Sequence, residues 1–104
     1  IDLKSTIVTL MGYTFKENCS DIRNTKVYDL ALSLQNSGVS LNIWDPFLTE
    51  ETKEKLNKNN IKSFTEISHD VQLAFVCVYH EQILKFLDAY DGIVYDYKKL
   101  NSNL

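Results

Sequence analysis

Glycine and proline are scarce in this chain of 104 residues, which has three of the first and one of the second. The scarcity removes the commonest phosphate cradle, the three spaced glycines of a dinucleotide fingerprint, because Gly12 stands alone after the first apolar stretch. Cysteine is equally thin. Cys19 and Cys77 show no metal-ligand spacing, and no metal site is expected. There is no basic excess: 11 Lys and Arg against 14 Asp and Glu leave a net charge of −3, which provides no basic face for nucleic acid. Long apolar runs are missing as well. The stretch Leu73–Tyr79 falls far short of the roughly 20 residues that cross a bilayer, and no charged segment followed by an apolar one opens the chain, so a cytoplasmic protein without a membrane partner is expected. The chain starts at Ile1, not methionine, and is read as a piece of a longer protein.

What remains is an ordinary globular balance, 44% apolar and 24% charged, enough for one domain with one core over residues 1–104. Ser5–Met11 is β-branched and apolar and closes on Gly12, the pattern of a strand covered on both faces. After a polar loop, Asp21 or Asn24 can cap a helix whose apolar positions are Val27, Leu30, Ala31 and Leu34, with Gly38 as terminator. Val39–Trp44 alternates and stops at Asp45-Pro46, a second strand.

Thr49–Lys58, acidic at its start and lysine-rich after it, suits a helix dipole but offers little apolar surface beyond Leu56. Ile61–Phe64 is a short third strand, and Thr65–Asp70 a polar connection of weak helical character. Val71–Tyr79 reads as the central buried strand. A helix from His80 and Glu81 follows, with Ile83, Leu84 and Leu87 as its apolar stripe, and Ile93–Asp96 ends the series.

Strands alternating with helices imply an α/β fold: a three-layer, Rossmann-like, doubly wound, mainly parallel sheet of about five strands in the order 3-2-1-4-5. Its switch point lies between the first and fourth strands, so the loops after Met11 and Tyr79 share one crevice, toward which Phe15, Lys16 and His80 converge.

Several residues there admit two readings. Lys16 is a point charge and Arg23 a planar fork, both suited to phosphate oxygens, and Phe15 can pack on a ring or ribose; alternatively Lys16 is solvated and Arg23 pairs with Asp21. Cys19 lies near a helix start and two cations, but no histidine is close in sequence, and a structural thiol is favoured over a nucleophile. Cys77 reads as a small buried hydrophobe and His69 as a surface connector. His80 is the better acid/base candidate, set against a helix-start position held by hydrogen bonds. Asp45 ends the second strand, where dinucleotide folds place a ribose-binding carboxylate, but without glycines beside it a turn role is favoured. Tyr79, Tyr90, Tyr95 and Tyr97 fit partly buried ring packing.

The run Gly12-Tyr13-Thr14-Phe15-Lys16-Glu17-Asn18-Cys19-Ser20-Asp21-Ile22-Arg23-Asn24-Thr25-Lys26-Val27 resembles the opening of the C-terminal, UDP-binding domain of the UDP-glucose/GDP-mannose dehydrogenase family. Gly38-Val39, Trp44-Asp45-Pro46, Tyr79-His80 and Ile93-Val94-Tyr95-Asp96 follow in the family's order. The wording Phe15–Arg23 is most similar to the bacterial branch acting on UDP-N-acetylhexosamines for capsule, Vi-type or O-antigen polysaccharides; Ser20, often proline there, departs from it.

The resemblance implies an NAD-dependent UDP-sugar 6-dehydrogenase. Its N-terminal domain binds NAD, its central region carries the catalytic cysteine and forms a homodimer or higher homo-oligomer, and its last domain closes over the UDP-sugar. By motif position, Phe15 and Lys16 contact the UDP-sugar and Arg23 faces the cofactor, while no catalytic residue lies in this chain and Cys19 does not match the catalytic cysteine. The domain alone is then expected to be inactive. The competing class is a stand-alone α/β signalling or interaction module; a receiver would need an acidic cluster where the chain has Tyr13-Thr14-Phe15-Lys16, and a phosphoacceptor aspartate where it has Tyr79-His80.

Overall fold

The computed structural model describes residues 5–14, 26–67 and 70–97. In chain order they form β1 (Ile7–Met11), α1 (Val27–Asn36), β2 (Ser40–Trp44), α2 (Glu50–Lys58), β3 (Lys62–Phe64), β4 (Leu73–Val76), α3 (Glu81–Asp88) and β5 (Ile93–Asp96). Every strand pair is parallel and the sheet runs β3-β2-β1-β4-β5, the order expected from the alternation of elements.

Side chains alternate across a strand, and the register converts that alternation into two buried clusters, one on each face of the sheet, where a single core was expected. Val8 and Leu10 of β1, Ile43 of β2 and Leu73 of β4 share a buried cluster with Val27 and Ala31 of α1 and Leu56 of α2. Met11, Trp44, Ala74 and Val76 point the other way and pack with Ile83 of α3, where the Trp44 and Phe86 rings meet edge-on at 5.7 Å. Helices thus cover both faces, and the domain has three layers.

At nine residues, α2 is shorter than the roughly 12–15 residues an isolated helix needs, so its anchors decide whether it forms. Leu56 is fully buried, Thr49 Oγ1 accepts the Thr52 amide at 3.2 Å, and Glu50 and Glu51 lie in its first turn. α1 ends as expected at Gly38, whose φ of +89° lets Val39 N–H reach back to the Leu34 carbonyl at 3.0 Å. The residues expected to cap its start, Asp21 and Asn24, lie outside the described residues.

Three expectations about the elements need correction. β4 covers Leu73–Val76, not the whole apolar run Val71–Tyr79. Beyond Val76 the amides of both Cys77 (2.8 Å) and Val78 (3.2 Å) converge on the Met11 carbonyl, because β1 has ended and no further ladder partner follows. Apolar composition reported burial here rather than strand length: Cys77 and Val78 are buried outside the strand. In α3 the buried side is Ile83 with the half-buried Phe86 and Leu87, whereas Leu84 is 45% exposed. The Trp44 ring selects Phe86, which the spacing of Ile83, Leu84 and Leu87 left out. The connection 65–67 contains no helix.

The lone glycine of the first loop is where the fold is tightest. Gly12 has φ +100°, and a Cβ on it would stand 2.6 Å from Val78 Cβ and 2.7 Å from Val78 N. Both the backbone angle and the space therefore require glycine. Gly12→Ala should cost about 2–4 kcal/mol, combining left-handed strain with overpacking against backbone. Urea denaturation measures this; a stability within error of the parent would show that the crossing of Gly12 and Val78 is not rigid.

Candidate functional site

β1 has β2 on one side and β4 on the other, so the winding of the chain reverses there and the C-terminal ends of these three strands border a crevice. Each end contributes a polar residue that is buried: Thr14 (1% exposed), Asp45 (0%) and His80 (0%). Asp45 Oδ2 accepts the backbone N–H of Tyr13 at 2.7 Å, the N–H of Thr14 at 3.0 Å and His80 Nε2 at 2.9 Å. Its other oxygen, Oδ1, accepts the Phe47 amide at 2.7 Å. Thr14 Oγ1 stands 2.8 Å from the same His80 nitrogen, and the Phe47 ring closes over the imidazole at 4.8 Å.

The local sequence explains why these groups meet. Pro46 turns the chain out of β2, and the Asp45–Phe47 bond is the turn role expected of Asp45. Gly12 turns the chain out of β1 and presents two successive amides. His80 takes extended backbone at the N-cap position of α3, which aims its ring inward instead of capping the helix.

The electrostatics follow from the geometry. Burial by itself raises the Asp45 pKa, but the bond from His80 and the amides of Tyr13, Phe47 and Thr14 outweigh it and hold the carboxyl below its ordinary range. An ionised carboxylate only accepts hydrogen bonds, so His80 Nε2 carries the proton it shares with Asp45 and Thr14 Oγ1 accepts from that same N–H. Tyr13, buried against the first core, is pushed up to about 12 by burial, with Tyr28 and Asp29 adding to it. Burial, aided by Asp96, likewise pushes the Cys77 thiol up to about 12, and its 6% exposure bears out its reading as a small buried hydrophobe.

Of the residues singled out by sequence, the structure brings Asp45 and His80 together. Phe15, Lys16 and Arg23, with Cys19, lie outside the described residues, and so does His69. Thr14 and Tyr13 were missed as partners of Asp45. The signal available was their place just past the strand-ending glycine, where backbone amides leave the sheet ladder and need another acceptor. Among the tyrosines, Tyr90 stacks on Phe86 at 5.1 Å and donates to the Val71 carbonyl at 2.9 Å, Tyr79 donates to Asp96, and Tyr97 packs 5.9 Å from Phe75, whereas Tyr95 stays 42% exposed on the edge strand.

A groove of about 760 Å³ lies along α3, lined by Ile67, Val71, Phe86 and Tyr90 together with Gln82, Lys85 and Asp91, and it does not include Thr14, Asp45 or His80. Among the described residues no cluster of His, Cys, Asp and Glu could hold a metal, and no helix is long and apolar enough to cross a membrane.

The crevice does not suit a dinucleotide bound in the usual way. The carboxylate at the end of β2, which would meet a ribose, is wholly buried and engaged with Tyr13, Thr14, Phe47 and His80. Nor does it suit a receiver, whose carboxylates must be open to a cation and a phosphoryl group.

Because the Asp45 carboxyl titrates lower when folded than when unfolded, its stabilisation is present above the unfolded value of about 3.9 and is lost as pH falls through the folded one. Asp45→Asn should therefore cost about 2–4 kcal/mol near pH 7, a cost that shrinks below about pH 4. Urea denaturation from pH 7 to 3 checks this. A difference that stays constant with pH would mean that Asp45 is not the ionised acceptor.

Over residues 9–102 the chain matches the UDP-glucose/GDP-mannose dehydrogenase family, UDP binding domain. It is 48% identical over 44 residues to a UDP-N-acetyl-D-glucosamine 6-dehydrogenase of Pseudomonas aeruginosa, covering 42% of this chain and 10% of that one. It is 34% identical over 83 residues to a protein of the same name from Salmonella typhi, covering 79% and 19%. Protein CapL of Staphylococcus aureus is 33% identical over 64 residues, covering 62% and 13%. The chain spans less than a fifth of the length of each of these relatives. No solved structure matches it. With a match across almost all of its length, on the doubly wound fold just described, the chain belongs to the UDP-glucose/GDP-mannose dehydrogenase family and carries its UDP binding domain.

Proposed function

We propose that this chain is the lid domain of a cytoplasmic, NAD-dependent UDP-sugar 6-dehydrogenase for surface polysaccharide biosynthesis, and that it closes over the UDP part of the substrate. The observation that carries this is the family match over residues 9–102. The substrate class, a UDP-hexose or UDP-N-acetylhexosamine, is supported by the names of the relatives from P. aeruginosa and S. typhi, and the polysaccharide role rests on the resemblance of Phe15–Arg23 to the bacterial branch. In the complete protein the C6 alcohol of the sugar is oxidised to a carboxylate: four electrons leave as two hydrides, two NAD⁺ become two NADH, one water enters and three protons are released.

Phe15 and Lys16 meet the UDP-sugar and Arg23 faces the cofactor. A diphosphate requires cations: Lys16 offers a point charge shortly after Met11, and Arg23, further along the chain, offers a planar fork on the cofactor side. A lid orients and excludes water, so it needs no general base of its own. NAD is held mainly by another part of the protein, in keeping with the buried Asp45 and the single loop glycine of this domain. The complete enzyme is a homodimer or higher homo-oligomer.

Titrating UDP into the chain should show weak binding, and Lys16→Ala should weaken it about tenfold, the loss of one charge-assisted contact. Equal affinity in the variant would remove Lys16 from the site. Supplied with NAD⁺ and UDP-N-acetylglucosamine, the chain alone should produce no NADH; measurable reduction at 340 nm would overturn its assignment as a silent lid.

A further inference from the structure

We propose that Thr14, His80 and Asp45 form a positioning unit for nucleotide binding: by fixing both the backbone and the side chain of Thr14, they set how the chain enters Phe15 and Lys16, and so tune UDP affinity without touching UDP. This rests on the reading of Lys16 given above.

The unit is made wholly of buried groups from three separate strand ends. Thr14 is gripped twice, through its amide by Asp45 Oδ2 at 3.0 Å and through its hydroxyl oxygen by His80 Nε2 at 2.8 Å. The preceding amide, Tyr13 N–H, is held by the same Oδ2 at 2.7 Å. Two successive peptide planes and one side-chain torsion are thereby fixed immediately before Phe15. His80 is kept in place in turn by Asp45 at 2.9 Å and by the Phe47 ring.

Stability alone does not call for such an arrangement. Burying a carboxylate costs several kcal/mol, and apolar residues of similar volume often fill such a space at equal or better stability. What the polar unit adds is direction, because hydrogen bonds weaken steeply off their axis whereas apolar contacts do not. Direction matters here because a one-ångström misplacement of a binding group is costly, and Phe15 and Lys16 are the next two residues of the chain.

The test is a double-mutant cycle read by UDP titration with this chain. Thr14→Val, which keeps the shape and removes the hydroxyl, should weaken UDP binding about five- to tenfold, and Thr14→Ser should restore it to within about twofold. In a Lys16→Ala background most of the Thr14→Val loss should vanish, since a positioning residue has nothing left to position. A structural defect alone would instead weaken both backgrounds equally.

Should Thr14→Val fail to fold, the pair His80→Leu and His80→Gln replaces it, glutamine keeping an N–H donor for Asp45 and therefore the affinity. Lys16→Ala weakening UDP while Thr14→Val binds like the parent would overturn the positioning unit alone. Full additivity, or no rescue by serine or glutamine, would do the same. If Lys16→Ala itself binds like the parent, the reading of the loop falls and this inference falls with it.

Discussion

One carboxylate joins the chain leaving three strands at the mouth of this domain's sheet. Asp45 receives two amides from the loop after β1, one amide from its own turn after β2 and the imidazole at the end of β4. Burying that charge is tolerable only because every one of those donors points at it. The same bonds that keep the carboxyl ionised hold the mouth of the sheet in one shape.

Around this point the rest of the fold acts as support. The all-parallel register aligns the ends of β1, β2 and β4, pairing Met11 with Trp44 on one side and with Val76 on the other. Two cores on opposite faces clamp the register, since a slip of one residue would exchange Leu10 and Ile43 for Met11 and Trp44 and place each against the wrong helix. Gly12 then lets the backbone of the first loop pass against Val78 closely enough for Tyr13 and Thr14 to reach Asp45. The dependence runs in order: strand register aligns the ends, glycine permits the close crossing, and the carboxylate locks it.

Such a lock also bears on which ligand the domain takes. In a dinucleotide site the acidic residue at the end of the second strand faces the ligand. Here it faces inward, engaged with Tyr13, Thr14, Phe47 and His80, which is why the proposed ligand contact falls to Lys16 and not to this carboxylate. An inward-facing carboxylate is compatible with the UDP binding domain of the UDP-glucose/GDP-mannose dehydrogenase family, to which the chain belongs.

Much of the domain was legible in its residues, because the relevant physics is local. Strand and helix periods, Gly38 as a terminator and the buried apolar stretches lead directly to the sheet order β3-β2-β1-β4-β5. The family wording of Gly12–Val27 is local too. The end of β4 was not legible, since it depends on where its neighbour β1 stops, nor was the exposure of Leu84, since Trp44 decides which side of α3 is buried. Asp45 and His80 could each be picked out at a strand end, yet not as partners. They stand 35 positions apart, and His80 and Thr14 66. Periodicity carries no information across such separations; only the closing of a parallel sheet brings one nitrogen between a carboxylate and a hydroxyl, and turns three separate polar residues into one buried unit.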